Sequence, residues 1–144
     1  MADLPVMALS VRQPWAWAII HAGKHLENRT QGALNYMGRD VTWLAIHASK
    51  GMTRDEYETM IDHPGLDLPE ANGAKLPRPD ELVRGAIIGH VCVTDRISTS
   101  TSPWWCGPRA LVFSNTVAVD PIPCVGSLGF FRWSKSGEIE APSR

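Results

Sequence analysis

Along the first third of the chain the apolar positions change period more than once, and each change marks an element. Residues 8–13 alternate apolar and polar side chains, the pattern of a half-buried strand. Pro14 then supplies the fixed φ favoured in the first turn of a helix. Residues 15–21 continue as a short helix, which Gly23 ends. Residues 24–30 return to alternation, so Glu27 and Arg29 share one face. Lys24 falls on the other face unless it sits in the turn, the placement that Gly23 favours. Residues 39–48 predict a strand with Val41, Trp43, Ala45 and His47 on one face and Leu44 and Ile46 on the other, buried on both sides or closing a barrel. Thr53 with Glu56 three positions on is a capping box, predicting a helix over 53–61.

Residues 62–84 break the periodicity. Pro64-Gly65, Asn72-Gly73 and the Pro77 to Pro79 pair mark a loop excursion rather than core, with Asp80 capping one short helical turn. Residues 86–97 form the strongest strand pattern, expected at the centre of the sheet. Ile88, His90, Cys92 and Thr94 share one face, and Ile87, Gly89, Val91, Val93 and Asp95 the other. Residues 110–114 and 116–119 are strand material, 121–123 are extended, and 128–133 form a last apolar strand. The fold class is therefore α+β, mainly β: a small, partly closed mixed β-barrel with a few short flanking helices. A doubly wound sheet is disfavoured because regular strand-helix alternation is missing. The expected domain spans 8–134, preceded by a lead over 1–7 and followed by a flexible tail over 135–144.

Length and charge narrow the function classes. The 144 residues suit one domain, and a net charge of −1 carries no general basic excess, so any nucleic-acid site must be a local patch. No basic segment followed by an apolar core opens the chain, and no apolar run approaches the roughly 20 residues that span a bilayer. A soluble cytoplasmic protein without a membrane partner is expected. Cys92, Cys106 and Cys124 are widely spaced, with no metal-ligand spacing, and read as reduced packing residues. No cofactor or metal is expected, and the pattern fixes no oligomeric state.

The chemistry concentrates between Arg12 and Arg29. Lys24 and Glu27 would serve hydrolysis as base and acid if burial and mutual pairing tuned them, or they form an ion-pair network with Arg29 that fixes the turn. Arg29 suits bidentate contact with a phosphate or a base edge; its alternative is pairing with Glu27 or Asp95. Gln13 offers an amide for a base edge, Trp15 an indole for stacking, and the helix start free N–H groups for a phosphate. Of Trp104 and Trp105 one should point outward, and Trp105 is taken as the stacking lid. Trp17, Trp43 and Trp133 read as packing, and His90 as structural. His47 and Lys50 could act on a phosphodiester, unless His47 is a hydrogen-bonded core residue. Ser127 lies near enough to the last strand to enter the same cleft, and Arg12, Lys24, Arg29 and Lys50 would supply a local basic patch.

Several motifs in order resemble one family. Leu9-Ser10-Val11-Arg12-Gln13-Pro14-Trp15, Gly23-Lys24 with Glu27-Asn28-Arg29, Gly89-His90-Val91, Trp105-Cys106-Gly107-Pro108, Asn115, Pro121-Ile122-Pro123-Cys124 and Gly129-Phe130-Phe131-Arg132-Trp133 resemble the ASCH (activating signal cointegrator homology) domain. The resemblance covers residues 9–133. It implies a PUA-like β-barrel with a cleft between barrel and first helix, in a superfamily whose relatives bind RNA or modified nucleobases. Members include nucleic-acid binders, an amidohydrolase branch acting on acylated cytidine, and a ribonuclease. That branch pairs its lysine with a threonine three residues on, where this chain has Glu27, and uses a later glutamate, whose nearest counterpart is the shorter Asp95. The expectation is therefore a domain that binds RNA, a nucleotide or a modified nucleoside in the cleft of the Gln-Pro-Trp and Gly-Lys-x-x-Glu-x-Arg motifs. Asp95 and Asn115 complete the expected binding set, and metal-independent ribonuclease activity is a further expectation. Acylcytidine hydrolysis and a non-catalytic protein-interaction domain are the alternatives.

Overall fold

A computed structural model describes residues 4–133. In chain order the elements are β1 (Met7–Val11), α1 (Trp15–His21), β2 (Leu26–Arg29), α2 (Gln31–Asn35), β3 (Trp43–Ala48), α3 (Arg54–Ile61), β4 (Ala86–Ile97), β5 (Arg109–Pro123) and β6 (Phe130–Arg132). The strands form one sheet in the order β2-β5-β4-β3-β1-β6, parallel only between β1 and β3. This is a mainly β domain with a curled, six-stranded half-barrel and a few short helices. Arg29, on the β2 margin, donates from Nη2 to the Ser10 carbonyl of β1 at 2.9 Å, so one side chain links that margin to the strand next to the other.

Strand β3 is buried on both faces, as its pattern predicts, and β1, expected to be half-buried, is largely covered on both faces as well. Leu9, Val11, Leu44 and Ile46 pack inward with Ile19 of α1, Leu34 of α2 and Phe113. Ala8 and Ala45 pack outward under Trp133 and Ile87. β3 begins at Trp43 rather than at residue 39, and Trp43 is exposed, its indole donating to His90 Nδ1 at 3.1 Å instead of packing inside.

Other expectations are corrected by local geometry. The face assignment along β4 slips because its pairing with β5 shifts register near residues 88, 91 and 94, so Ile88 and Val91 enter the same core cluster. The separate strand segments after residue 109 are one strand, interrupted where Asn115 takes φ 51°. Thr30, the last residue of the predicted strand, leaves it to cap α2, accepting from Ala33 N at 3.1 Å. The capping box of Thr53 and Glu56 is formed, with Thr53 as N-cap of α3.

The excursion after α3 is more than a loop. It folds into 3₁₀ turns at Pro64–Asp67, Pro69–Ala71 and Pro79–Glu81, with Asp80 inside the last one rather than capping it. Leu82 is buried with Trp17, Leu26, Met60 and Trp104, a second core that ties the excursion to α1, and Leu66, Leu68 and Leu76 pack against it. Gly23 (φ 72°) turns α1 into β2 directly under this excursion, and a Cβ there would stand 2.5 Å from the Glu70 carbonyl oxygen. The expected tail over 135–144 lies outside the described residues. No helix of the described residues is long and apolar enough to cross a membrane.

Candidate functional site

The end of α1 sets the first catalytic candidate in place. Lys24 sits in the turn, its backbone N–H bonded to the Ala18 carbonyl at 3.0 Å, which carries its side chain over the start of β2. Antiparallel pairing of Leu26–Arg29 with β5 fixes the next side chains, and strand alternation puts Glu27 and Arg29 on one face. Lys24 Nζ donates to the Leu26 carbonyl and reaches Glu27 Oε1 at 3.4 Å, while Arg29 Nε donates to Glu27 Oε2 at 2.9 Å. Glu27 thus divides its two oxygens between two cations. Lys24 is 5 % exposed and Glu27 7 %.

This cluster opens on a cleft of about 720 Å³. Its walls are Trp15 at the start of α1, Glu56 and Thr59 of α3, His63, and the segment from Pro103 to Cys106. Arg12, Lys24 and Arg29 against Glu27 and Glu56 leave the lining one positive charge in excess. Arg12 lies at the rim, held by Glu56 at 2.7 and 2.8 Å. That hydrogen-bonded ion pair, with help from Thr53, holds the Glu56 carboxyl down at about 2 and raises Arg12.

The aromatic wall is organised from a distance. Asn28 Nδ2 donates to the Trp104 carbonyl at 2.9 Å, and its Oδ1 accepts from the backbone N–H groups of Cys106 and Gly107 at 2.9 and 3.2 Å. One side chain of β2 therefore clamps the whole turn that carries both tryptophans. Trp104 points inward, 2 % exposed, and Trp105 is half-buried at the cleft, the outward member of the pair as expected. His63 stacks on Trp104 with ring centroids 4.3 Å apart and planes at 11°, and Trp15 meets His63 edge-on at 6.0 Å. His63 Nδ1 accepts the Gly65 N–H at 2.9 Å, which leaves the ring proton on Nε2. Burial, and then the nearby Lys24 charge, push His63 below the ordinary imidazole value. Gly65 itself lies against Trp104, where a Cβ would overlap the indole.

Of the residues predicted from the sequence, the cleft unites Arg12, Trp15, Lys24, Glu27, Arg29 and Trp105. Gln13 is elsewhere: it is 1 % exposed, its Oε1 accepting the Trp17 N–H at 2.9 Å and its Nε2 donating to the Val83 carbonyl at 2.8 Å. Its amide holds α1 to the excursion rather than facing a base in this cleft. His47 is buried against Cys124 O (2.9 Å) and Ser10 Oγ (3.2 Å), the hydrogen-bonded core histidine of the alternative reading. Lys50 is exposed beside Gly85 and Ser127 is exposed in the turn before β6; neither lines the cleft. Asp95 is exposed and accepts from the Arg96 N–H at 2.8 Å, and Asn115 is a bulge residue of β5; both lie outside the cleft.

Sequence reasoning missed Ser10, Asn28, His63 and Trp104 as site residues. Asn28 stood inside the quoted motif between Glu27 and Arg29, the one signal that could have found it. His63 carried no signal, because its place depends on the excursion folding back onto residues 103–106. No protein-family model matches the chain, and no curated protein matches it.

Proposed function

We propose that this chain is an ASCH-type, PUA-like domain that binds a nucleotide, free or within RNA, in the cleft between α1, β2 and the Pro103 to Cys106 segment. The observation that carries the reading is a cluster of buried Lys24 and Glu27 with half-buried Arg29, carrying an excess cation, on the floor of a cleft walled by Trp15, His63 and Trp105. Two half-buried indoles supply faces on which a base can stack, worth about 1–3 kcal/mol per base. The cations supply charge-assisted donors for its phosphate. The mixed half-barrel, with the Gly-Lys-x-x-Glu-x-Arg motif at the cleft, supports the family assignment.

Binding is better supported than hydrolysis. Both Glu27 oxygens are committed to cations, and the His47 and Lys50 pair lies outside the cleft. The test is a fluorescence titration of the intrinsic tryptophans with short single-stranded RNA and with nucleotides in chelator, at several salt concentrations, for the wild type, Lys24→Ala and Lys50→Ala, each checked for folding. The reading expects salt-dependent saturation lost in Lys24→Ala, retained in Lys50→Ala, and no turnover. Equal binding by Lys24→Ala overturns it, and cleavage or deacylation lost in a folded variant assigns an enzyme instead.

A further inference from the structure

Around Lys24 and Trp104 the unused hydrogen-bonding capacity of the cleft is mostly that of donors. Lys24 Nζ spends donors on Leu26 and Glu27, and its ammonium has a third. Arg29 spends Nε on Glu27 and Nη2 on Ser10, and its guanidinium has Nη1 left. His63, its Nδ1 held by Gly65, carries its proton on Nε2. Trp104 lines the cleft and is 2 % exposed, and its Nε1 is a buried donor with no partner among the described residues. Lys24 Nζ stands 6.0 Å from the centre of the same indole, on which the His63 ring stacks. Against these donors, the one carboxylate at the floor has both oxygens engaged.

An unpaired indole N–H buried in a protein costs free energy unless something accepts from it. A nucleobase edge presents donors as well as acceptors, so it matches this donor-rich part of the lining less well than an acceptor-only group does. A phosphate monoester presents acceptors only: three terminal oxygens carrying about −1.5 to −2 charges at neutral pH. An internal phosphodiester offers fewer free oxygens and a single charge. We infer that the part of the cleft lined by Lys24, Arg29, His63 and Trp104 is a subsite for a phosphate monoester, and that the ligand is a mononucleotide or a phosphorylated RNA end rather than a nucleoside or an internal RNA stretch. This rests on the nucleotide reading above and sharpens it.

The experiment is calorimetric titration of the full chain with the common ribonucleosides, their 5′- and 3′-monophosphates, and trinucleotides with and without a terminal phosphate. Inorganic phosphate serves as competitor. The expected result is a monophosphate bound about tenfold or more tighter than its nucleoside, with phosphate competing. Trp104→Phe keeps an aromatic ring but removes the donor, and should shrink the ratio of monophosphate to nucleoside affinity. Phosphorylated trinucleotides that bind like the mononucleotide place the source at RNA ends; failure of those alone places it in the free nucleotide pool. A nucleoside bound as tightly as its monophosphate overturns the subsite while leaving nucleotide binding intact. Absence of binding by every compound overturns both. If Trp104→Phe does not fold, the wild-type ratio decides alone.

Discussion

Replacing Glu27 by Gln removes one negative charge from between two cations without changing the size of the side chain. Lys24 is 5 % exposed and would keep the Leu26 carbonyl, while Arg29 would keep the Ser10 carbonyl. Neither cation would then face a carboxylate. Breaking a buried ion pair by removing one partner costs about 3–5 kcal/mol, because a charge is left uncompensated. Gln retains one acceptor oxygen and Arg29 is partly exposed, which puts Glu27→Gln at the lower end, about 3 kcal/mol, or roughly 10 °C in Tm for a domain of this size. Lys24→Met should be milder, about 1–2 kcal/mol, since Glu27 keeps Arg29 at 2.9 Å. Urea unfolding of both variants at two salt concentrations measures the difference, and the Glu27→Gln loss should vary little with salt because the pair is buried. A loss below about 1 kcal/mol for Glu27→Gln, or a larger loss for Lys24→Met, would refute the view of Glu27 as the keystone of the cluster.

Gln13→Ala leaves the Trp17 N–H and the Val83 carbonyl without their side-chain partner and should cost about 2–4 kcal/mol in chemical unfolding, with ligand affinity unchanged in the folded fraction. Asn28→Ala releases the turn that carries Trp104 and Trp105; affinity should fall about tenfold, measured by titration, with a stability loss of about 1–3 kcal/mol. Glu56 is held at about 2, below its ordinary 4.5, so its contribution is fully present above 4.5 and fades as pH falls toward 2. For so exposed a pair that contribution is about 1 kcal/mol, and Arg12→Ala should flatten that part of the acid unfolding curve.

What could be read from the sequence was what depends on neighbours along the chain. Alternation located β1 and the inner half of β3, Thr53 and Glu56 announced α3, and Gly23 put Lys24 in a turn from which it reaches Glu27. What could not be read depends on distant segments. Two-residue periodicity carries no sign of a bulge, so the faces of β4 were inverted past residue 88. Thr30 caps a helix too short to show a period. The Gln13 amide suits a base edge and a helix cap equally well, and only its burial under Val83 separates the two. Asn28 and Trp104 became site residues where β2 meets the turn after residue 102, and His63 where the excursion folds back on that turn, contacts between segments about eighty and forty residues apart.

The central claim is that the cleft between Lys24 and Trp105 takes a nucleotide, and the most direct measurement is amide and indole chemical-shift mapping of the labelled protein during titration with the ribonucleoside monophosphates. Shifts should gather on residues 24–29, on His63 and on the Trp15, Trp104 and Trp105 side chains, leaving Lys50, Asp95 and Asn115 unmoved. Shifts confined to other surfaces, or none at millimolar nucleotide, would contradict the account.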